Sequence, residues 1–334
     1  DYTKAQMDLL VGSIYLDQGD LDSAIPYFQD AVTNFPHTGD AYTSLVTLDN
    51  QGVEVNEYQR GLVNYYAQNY LEAIEAFQRY RDQGGEEFAD AALYSQALAT
   101  RDDGSSDATA NSEAAIVLWQ ELIREYPTSS FYIDAWEDIE YTLWAYLDEP
   151  QQAAETALTY VAQRPESTQA PDFLFLAGRS FERANLLLEA AEAWARIANE
   201  YPTSEKIFLG AYFAGIAHVR LGEWAGAQAL FARALVLTQG MKMGNGREFL
   251  RGIRVTPDNT ATISKDTYNT TVFPVCLLVY IREFQLPQKI VTALNTSVSS
   301  RLQIVNKTRK RPLFQLIEQR SIMFFEICHL ILPP

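Results

Sequence analysis

The sequence has little of the residues that most catalytic and metal sites require. It contains 2 cysteines and 3 histidines in 334 residues, and the histidines lie too far apart to share a metal ion. Two cysteines make no disulfide framework and leave the redox compartment open. A Gly-rich phosphate loop and a nucleophile elbow are also missing. We therefore predict no catalytic residue, no cofactor-binding residue, no metal site and no cofactor.

Long apolar runs and basic charge are scarce as well. The longest apolar candidate, "VFPVCLLVYI" at 272–281, is too short for a membrane-spanning helix. Residues 1–240 carry 13 Lys/Arg and 37 Asp/Glu, which gives this part a net charge of −24. An acidic surface of that size disfavours nucleic acid or an anionic membrane as the partner.

What the sequence has in abundance is a repeated pattern. The stretch "EYPTS" occurs at 125–129 and again at 200–204, each time after an Ala-rich run studded with aromatic residues. Aligned on the first small residue of each run, the repeats are 49, 42, 38, 37 and 37 residues apart, at Ala24, Ala73, Ala115, Ala153, Ala190 and Ala227. A pattern that recurs at spacings of this length predicts a solenoid of stacked units.

Each repeat predicts two helices. In the first, Asp20 is a good N-cap for a second helix that carries Ala24, Phe28 and Ala31 on one face. Pro36 ends this helix because proline cannot continue one. A unit of this size cannot bury its own apolar face, so it must stack on its neighbours.

These residues resemble the tetratricopeptide repeat. The first unit matches its pattern at Gly12, Tyr15, Ala24, Phe28, Ala31 and Pro36, and a later unit matches at Gly178, Phe181, Ala190, Trp194, Ile197 and Pro202. The resemblance implies an all-α fold, a right-handed α-solenoid of about six helix pairs over 1–240. The small residues Gly12, Gly178 and Gly215 should lie at close helix crossings. The aromatic residues of the second helices should be buried: Phe28, Phe77, Trp119, Trp194 and Phe231.

The tail, 241–334, is a different kind of sequence. It holds 2 alanines against 38 in the front, and its net charge is +7. Three interpretations compete: a second, partly β domain, a disordered extension, or out-of-frame or inserted coding sequence. We favour the third, because the solenoid would lose its polar terminal cap at this point.

Three stretches, 59–80, 133–158 and 198–235, resemble the helical region of soluble lytic murein transglycosylases, and the likeness covers roughly 55–238. That resemblance implies a non-catalytic scaffold in the cell envelope or another extracytoplasmic compartment. Its partner would be a protein or a peptidoglycan glycan strand. The family's catalytic Glu-Ser pair has one counterpart, Glu166-Ser167, which lies in an inter-repeat turn with no Gly-Leu-Met-Gln stretch after it. We therefore assign no catalytic role to Glu166.

Two other functions remain open. One is a stand-alone tetratricopeptide-repeat module for protein–protein interaction in the cell envelope, and the other is an enzyme with an unrecognised site. On the concave surface expected of a solenoid, Tyr65 and Tyr66 are candidates for stacking on a ligand, although packing within their helix is the alternative.

Two further features have simple structural interpretations. The spacing of one aromatic group is typical of core packing rather than of a ligand site; its members are Trp119, Tyr132, Trp136, Tyr141 and Trp144. The insertion "RDDGSSDATA" at 101–110 is predicted to be a flexible linker.

Overall fold

The computed structural model describes residues 2–105, 107–237, 253–255 and 261–263. Within these residues the chain forms thirteen helices and two short strands. The helices are α1 (Tyr2–Asp17), α2 (Leu21–Asn34), α3 (Gly39–Asn50), α4 (Glu57–Tyr66), α5 (Tyr70–Asp82), α6 (Ala89–Asp102), α7 (Ala108–Glu125), α8 (Tyr132–Ala145), α9 (Pro150–Gln163), α10 (Ala170–Arg183), α11 (Leu187–Glu200), α12 (Ile207–Leu221) and α13 (Trp224–Leu237). The strands β1 (Ile253–Val255) and β2 (Ala261–Ile263) pair with each other.

Twelve of these helices form six pairs in sequence order, which confirms the predicted α-solenoid. The pairs are α1–α2, α4–α5, α6–α7, α8–α9, α10–α11 and α12–α13, and each helix packs mainly against its neighbours along the chain. The helix α3 has no partner of its own and lies between the first two pairs. Its 12 residues account for the long first step of the repeat, a feature that the sequence pattern did not predict.

The turn inside a pair is built in a recurrent way. Within five of the six pairs, one turn residue takes a left-handed backbone conformation; these residues are Gly19, Gln68, Asp148, Asn185 and Gly222. Glycine adopts this conformation freely, whereas other L-residues adopt it at a cost. Side-chain caps begin several helices: Asp20, for example, accepts a hydrogen bond from the Ser23 amide at the start of α2.

A glycine of the first helix meets an aromatic ring of the second helix in four pairs. A Cβ atom added at Gly12, for example, would lie 2.7 Å from Cε1 of Phe28. The contact recurs at the same separation of 16 residues along the chain, at Gly12–Phe28, Gly61–Phe77, Gly178–Trp194 and Gly215–Phe231. The prediction that Gly12, Gly178 and Gly215 lie at close crossings is confirmed.

The core follows the pairs as a succession of apolar clusters along the chain. One cluster joins α1, α2 and α3 with Val63 of α4, and others follow around α4–α6, α6–α9 and α8–α12. The five aromatic residues predicted to be buried are all at most 1% exposed: Phe28, Phe77, Trp119, Trp194 and Phe231. This confirms the register in which the repeats were aligned.

Two predictions about particular segments meet different outcomes. The linker predicted at 101–110 is wrong in extent, because α6 runs to Asp102 and α7 begins at Ala108. The loop between them is held locally, since the amide group of Asn111 donates a hydrogen bond to the backbone oxygen of the buried Asp103. The expectations for 241–334, including its boundary and its origin, fall almost entirely outside the described residues and stay predictions.

Candidate functional site

The first helices of successive pairs are joined to one another by polar and aromatic side chains. Ring contacts, hydrogen bonds and ion pairs lead from α4 to α6, α8, α10 and α12. We call this row of side chains the first-helix surface; it comprises Tyr65, Tyr66, Tyr94, Arg101, Asp102, Asp138, Tyr141, Trp144, Tyr146, Arg179, Glu182, Arg183 and Arg220. A surface of this kind, continuous across repeats, is what solenoid proteins offer to extended partners.

At its start lie the two tyrosines that the sequence singled out. Tyr66 is 53% exposed, and its ring meets that of Tyr65 edge-on at 5.5 Å between centroids. Tyr65 is half-buried and donates a hydrogen bond of 3.3 Å to Oδ2 of Asp102 on α6. Burial, with the charge of Asp102, raises the pKa of Tyr65 to about 12, so its hydroxyl stays a donor at neutral pH. Tyr66 meets the rings of Tyr65 and His37 edge-on and is exposed enough to contact a ligand as well, whereas Tyr65 mainly joins α4 to α6.

The next link, between α6 and α8, is an ion pair reinforced by a tyrosine. Arg101 contacts Oδ1 of Asp138 at 3.2 Å and Oδ1 of its neighbour Asp102 at 2.9 Å. The hydroxyl group of Tyr94 donates to the other oxygen of Asp138 at 2.6 Å. Burial raises the pKa of Asp138, while the hydrogen bonds from Tyr94 and Arg101 oppose that shift. The contact between Arg101 and Asp138 therefore fixes the spacing of two repeats, and the guanidinium group of Arg101 is shared between the carboxylates of Asp102 and Asp138.

Three aromatic side chains at the end of α8 form the next part of this surface. Tyr141 lies edge-on to Trp144, at 5.3 Å between centroids, and edge-on to Tyr146, at 5.9 Å. Both tyrosines are exposed. The guanidinium group of Arg183, on α10, stacks on the Trp144 ring at 3.8 Å. Aromatic rings that are packed against the protein on one side and exposed to solvent on the other are typical of surfaces that bind other molecules.

This group corrects part of the core interpretation. Trp119, Tyr132 and Trp136 are buried as expected. Tyr141 is exposed, and Trp144 is only half-buried and lies beneath the guanidinium group of Arg183 on α10.

Below this group lies a buried carboxylate, Glu140, which is 2% exposed. Counted from the preceding turn proline, Glu140 stands where Gly178 stands in the α10–α11 pair. Counted back from the following turn proline, Ala157 stands where that pair has its aromatic residue. The Glu140 side chain accepts a hydrogen bond from Ser180 of α10. Burial raises the pKa of Glu140, against the effects of Ser180 and Arg183.

The last link of the first-helix surface, between α10 and α12, is basic. Glu182 accepts from Arg220 at 2.5 Å and from Arg179 at 3.3 Å, and Arg179 also lies over the ring of Phe213. Arg183 donates to Ser180 at 3.3 Å. Arg179 and Arg220 thus share the carboxylate of Glu182, while Arg183 contacts Ser180 and the Trp144 ring. The guanidinium groups at this end outnumber the carboxylates, so this end can receive an acidic group.

Other sequence candidates lie elsewhere. Glu166 is exposed in the turn between α9 and α10, away from the first-helix surface. The described residues contain no group of three or more His, Cys, Asp or Glu side chains placed to hold a metal ion. In the same part of the chain, no helix combines the length and the apolar character needed to cross a membrane.

The most informative members of the site are ones that the sequence did not indicate. Arg101 and Asp138 lie one repeat apart and belong to no part of the repeat pattern. Glu140 did carry a signal, since an alignment on the turn prolines places a carboxylate where other repeats have glycine.

Comparison with known proteins gives the following similarities. Residues 4–45 and 172–204 each match a family model of the tetratricopeptide repeat. The solved structure "MamA RS-1 ArsTM double mutant" is similar at 15% identity with a TM-score of 0.36, and "MamA 41-end from Desulfovibrio magneticus RS-1" at 14% identity with a TM-score of 0.35. Each comparison covers 55% of this chain and 93% of the other chain. No curated protein matches.

Proposed function

We propose that this chain, whose residues 4–45 and 172–204 match models of the tetratricopeptide repeat, is a protein–protein interaction module and that its first-helix surface holds a peptide segment of a partner. The observation that carries the proposal is the continuity of this surface over α4, α6, α8, α10 and α12. An extended segment can contact several repeats at once, because each repeat adds one helix to the same row.

The chemistry of the surface indicates what the segment would offer. Tyr66, Tyr141 and Tyr146 supply exposed rings for apolar or planar side chains. Arg183 and Arg220, at the far end, suit an acidic side chain or a terminal carboxylate of the segment. Between the two lie Asp102 and Asp138, which are already paired, so this middle part positions the helices rather than the ligand.

The lytic transglycosylase scaffold remains a second proposal. It rests on the resemblance of residues 55–238 alone, and with it comes the proposed location in the cell envelope. The exposed tyrosines would also suit the flat faces of sugar rings, so a glycan strand is the ligand that this proposal names. Adding soluble peptidoglycan fragments to a preformed peptide complex separates the two proposals, because a shared site would release the peptide.

A selection followed by calorimetry tests the main proposal. The full chain would select binders from a random library of soluble peptides, and calorimetry would give their dissociation constants. Because aromatic anchors dominate such contacts, the double variant Tyr141→Ala/Tyr146→Ala should weaken binding by roughly tenfold or more. The control, Val117→Ala/Leu188→Ala, removes exposed apolar side chains from second helices and should change the constant by less than about twofold.

Two results would contradict the proposal. One is a library that yields no peptide dependent on the chain, and the other is a peptide that both double variants weaken equally.

A further inference from the structure

Four side chains of α8 and α10 form a closed group at the aromatic part of the first-helix surface. Glu140 and Trp144 lie one turn apart on α8, and Ser180 and Arg183 lie one turn apart on α10, so each pair shares a helix face. Ser180 donates a hydrogen bond to Glu140, and Arg183 donates one to Ser180 at 3.3 Å. The guanidinium group of Arg183 lies 3.8 Å from the centroid of the Trp144 ring. The indole group of Trp144 is also hydrogen-bonded to Glu140, which opposes the rise in the pKa of that carboxyl group.

The members of this group differ in their access to solvent. Glu140 is 2% exposed and Ser180 is fully buried, whereas Trp144 is half-buried and Arg183 is exposed. A bound segment can therefore contact Arg183 directly. Glu140 can act on the segment only through the side chains that it contacts.

Arg183 differs from the other arginines of the first-helix surface. Arg101, Arg179 and Arg220 each form an ion pair with a carboxylate of the same surface. Within the described part of the chain, Arg183 forms no ion pair. A guanidinium group has five N–H donors, and the hydrogen bond to Ser180 uses one of them. Arg183 is therefore the arginine that can bind an acidic side chain without breaking an existing ion pair.

Packing of the first helices does not require a carboxylate at the position of Glu140. The α10–α11 pair has Gly178 at this position, and this glycine packs against Trp194. Burying a carboxylate is unfavourable unless hydrogen bonds compensate for the loss of water. The two side chains that bond to Glu140 are the same two that contact Arg183. The contacts of Glu140 thus lead to the guanidinium group from two sides.

We infer that Glu140 is a positioning residue of the first-helix surface: it holds Ser180 and Trp144, and these orient the guanidinium group of Arg183 toward an acidic side chain of the bound segment. The inference rests on the proposed function for its ligand, but the arrangement itself can be measured without a ligand.

Two effects of Glu140 can be separated by substitution. As a hydrogen-bond acceptor it orders Arg183, whereas its negative charge weakens the attraction of Arg183 for another carboxylate. Glu140→Gln keeps an acceptor and removes the charge, and Glu140→Met removes both. Replacing a buried charged group by an apolar one of similar size is often tolerated, and Glu140→Leu provides a second apolar variant of different shape. Circular dichroism melting would establish that each variant folds.

Nuclear magnetic resonance of the arginine side chains tests the positioning without a ligand. The Nε–Hε signal of Arg183 would be recorded on the full chain labelled with ¹⁵N-arginine and assigned with Arg183→Lys. Because the guanidinium group stacks on the Trp144 ring, the ring current should shift this signal away from those of exposed arginines. Glu140→Gln should keep the shift, and Glu140→Met and Glu140→Leu should remove most of it.

Calorimetry tests the consequence for binding. A library-selected peptide with an acidic residue would be compared with a version in which Asn or Gln replaces that residue. The wild type should bind the acidic version about tenfold more tightly, because the hydrogen bond to Arg183 is charge-assisted. Glu140→Met should reduce this ratio by about fivefold or more, whereas Glu140→Gln should keep or increase it. The control Glu192→Met, at an exposed carboxylate of the second helix α11, should change the ratio by less than about twofold.

Several outcomes would overturn the inference. They are an Arg183 signal that is unshifted in the wild type or equally shifted in the apolar variants, a ratio unchanged in Glu140→Met, and selected peptides without an acidic residue. If such peptides still depend on Tyr141 and Tyr146, the proposed function stands and the role of Glu140 fails. A library without binders would contradict the proposed function instead, and the Arg183 signal would still decide whether Glu140 orders this side chain.

Discussion

Replacing Gly178 by alanine tests the close crossing on which the repeat packing depends. The added Cβ would meet the indole ring of Trp194, at 2.5 Å from Cδ1. The ring is 1% exposed, and its Nε1 donates a hydrogen bond of 3.2 Å to the backbone oxygen of Phe175. It therefore has no free space to move into, and moving breaks that bond.

The expected magnitude follows from three contributions. Overpacking of a core costs about 1–3 kcal/mol, and the strained hydrogen bond adds about 1 kcal/mol. Alanine regains about 1 kcal/mol through its higher helix propensity. Gly178→Ala should therefore lower the free energy of unfolding by about 1–3 kcal/mol.

Equilibrium urea unfolding of the full chain, followed by circular dichroism, measures this change. The control is Gly39→Ala at the start of α3, where a Cβ atom would meet nothing within 4 Å, and its effect should stay within about 0.5 kcal/mol. In the double variant Gly178→Ala/Trp194→Phe the smaller ring relieves the contact. The loss in free energy of unfolding should therefore be smaller than the sum of the losses of the two single variants. Equal stability of Gly178→Ala and wild type, or strict additivity, would refute the reasoning.

Three further predictions concern single side chains. Because burial raises the pKa of Glu140, the native chain holds more protons than the unfolded chain just above pH 4.5, so stability falls as pH rises through that range. Glu140→Gln should flatten this fall in urea midpoints measured between pH 4 and 7, and an unchanged slope would contradict it. Gln68→Gly should raise stability by up to about 1 kcal/mol, since Gln68 has φ of 63°; a lower melting temperature would count against this. Arg101→Ala should cost about 2 kcal/mol by leaving the half-buried Asp138 without its cation. Arg124→Ala, at an exposed pair, should cost less than about 0.5 kcal/mol. Equal losses of stability in Arg101→Ala and Arg124→Ala would contradict the claim that the half-buried pair contributes more.

The parts of the fold that could be predicted are those whose residues recur from one repeat to the next. Gly12 and Phe28 lie 16 residues apart, and the same spacing recurs at Gly178 and Trp194, so a tight crossing in one unit implied the others. Buried aromatic residues followed from the same alignment, because a small residue on one helix leaves space for a large one on the next.

The helix α3 could not be predicted in this way. The period was measured between second helices, so an additional helix between two of them changed only the length of one step. Its sequence, 39–50, contains two threonines and a serine and lacks the crossing glycine and the aromatic residue of the repeat. Tertiary contacts with α1 and α2, rather than the repeat pattern, account for its place.

The first-helix surface was predicted only at Tyr65 and Tyr66. The links between its helices join residues about one repeat apart, as Arg101 contacts Asp138. Such pairs form because stacking places one first helix beside the next, and no local spacing in the sequence encodes them. Exposed aromatic residues such as Tyr141 were taken for core, since helical spacing alone does not say which side of a helix is covered.

Photo-crosslinking tests the central claim, that a partner binds on the first helices, most directly. A benzophenone amino acid would replace either Tyr141, on the first helix α8, or Val117, which is exposed on the second helix α7. Each protein would be irradiated with the tightest peptide from the library selection, and the products would be mapped by mass spectrometry. Our account predicts efficient crosslinking from position 141 and little from position 117. Crosslinking from 117 alone, or with equal yield from both positions, would contradict it.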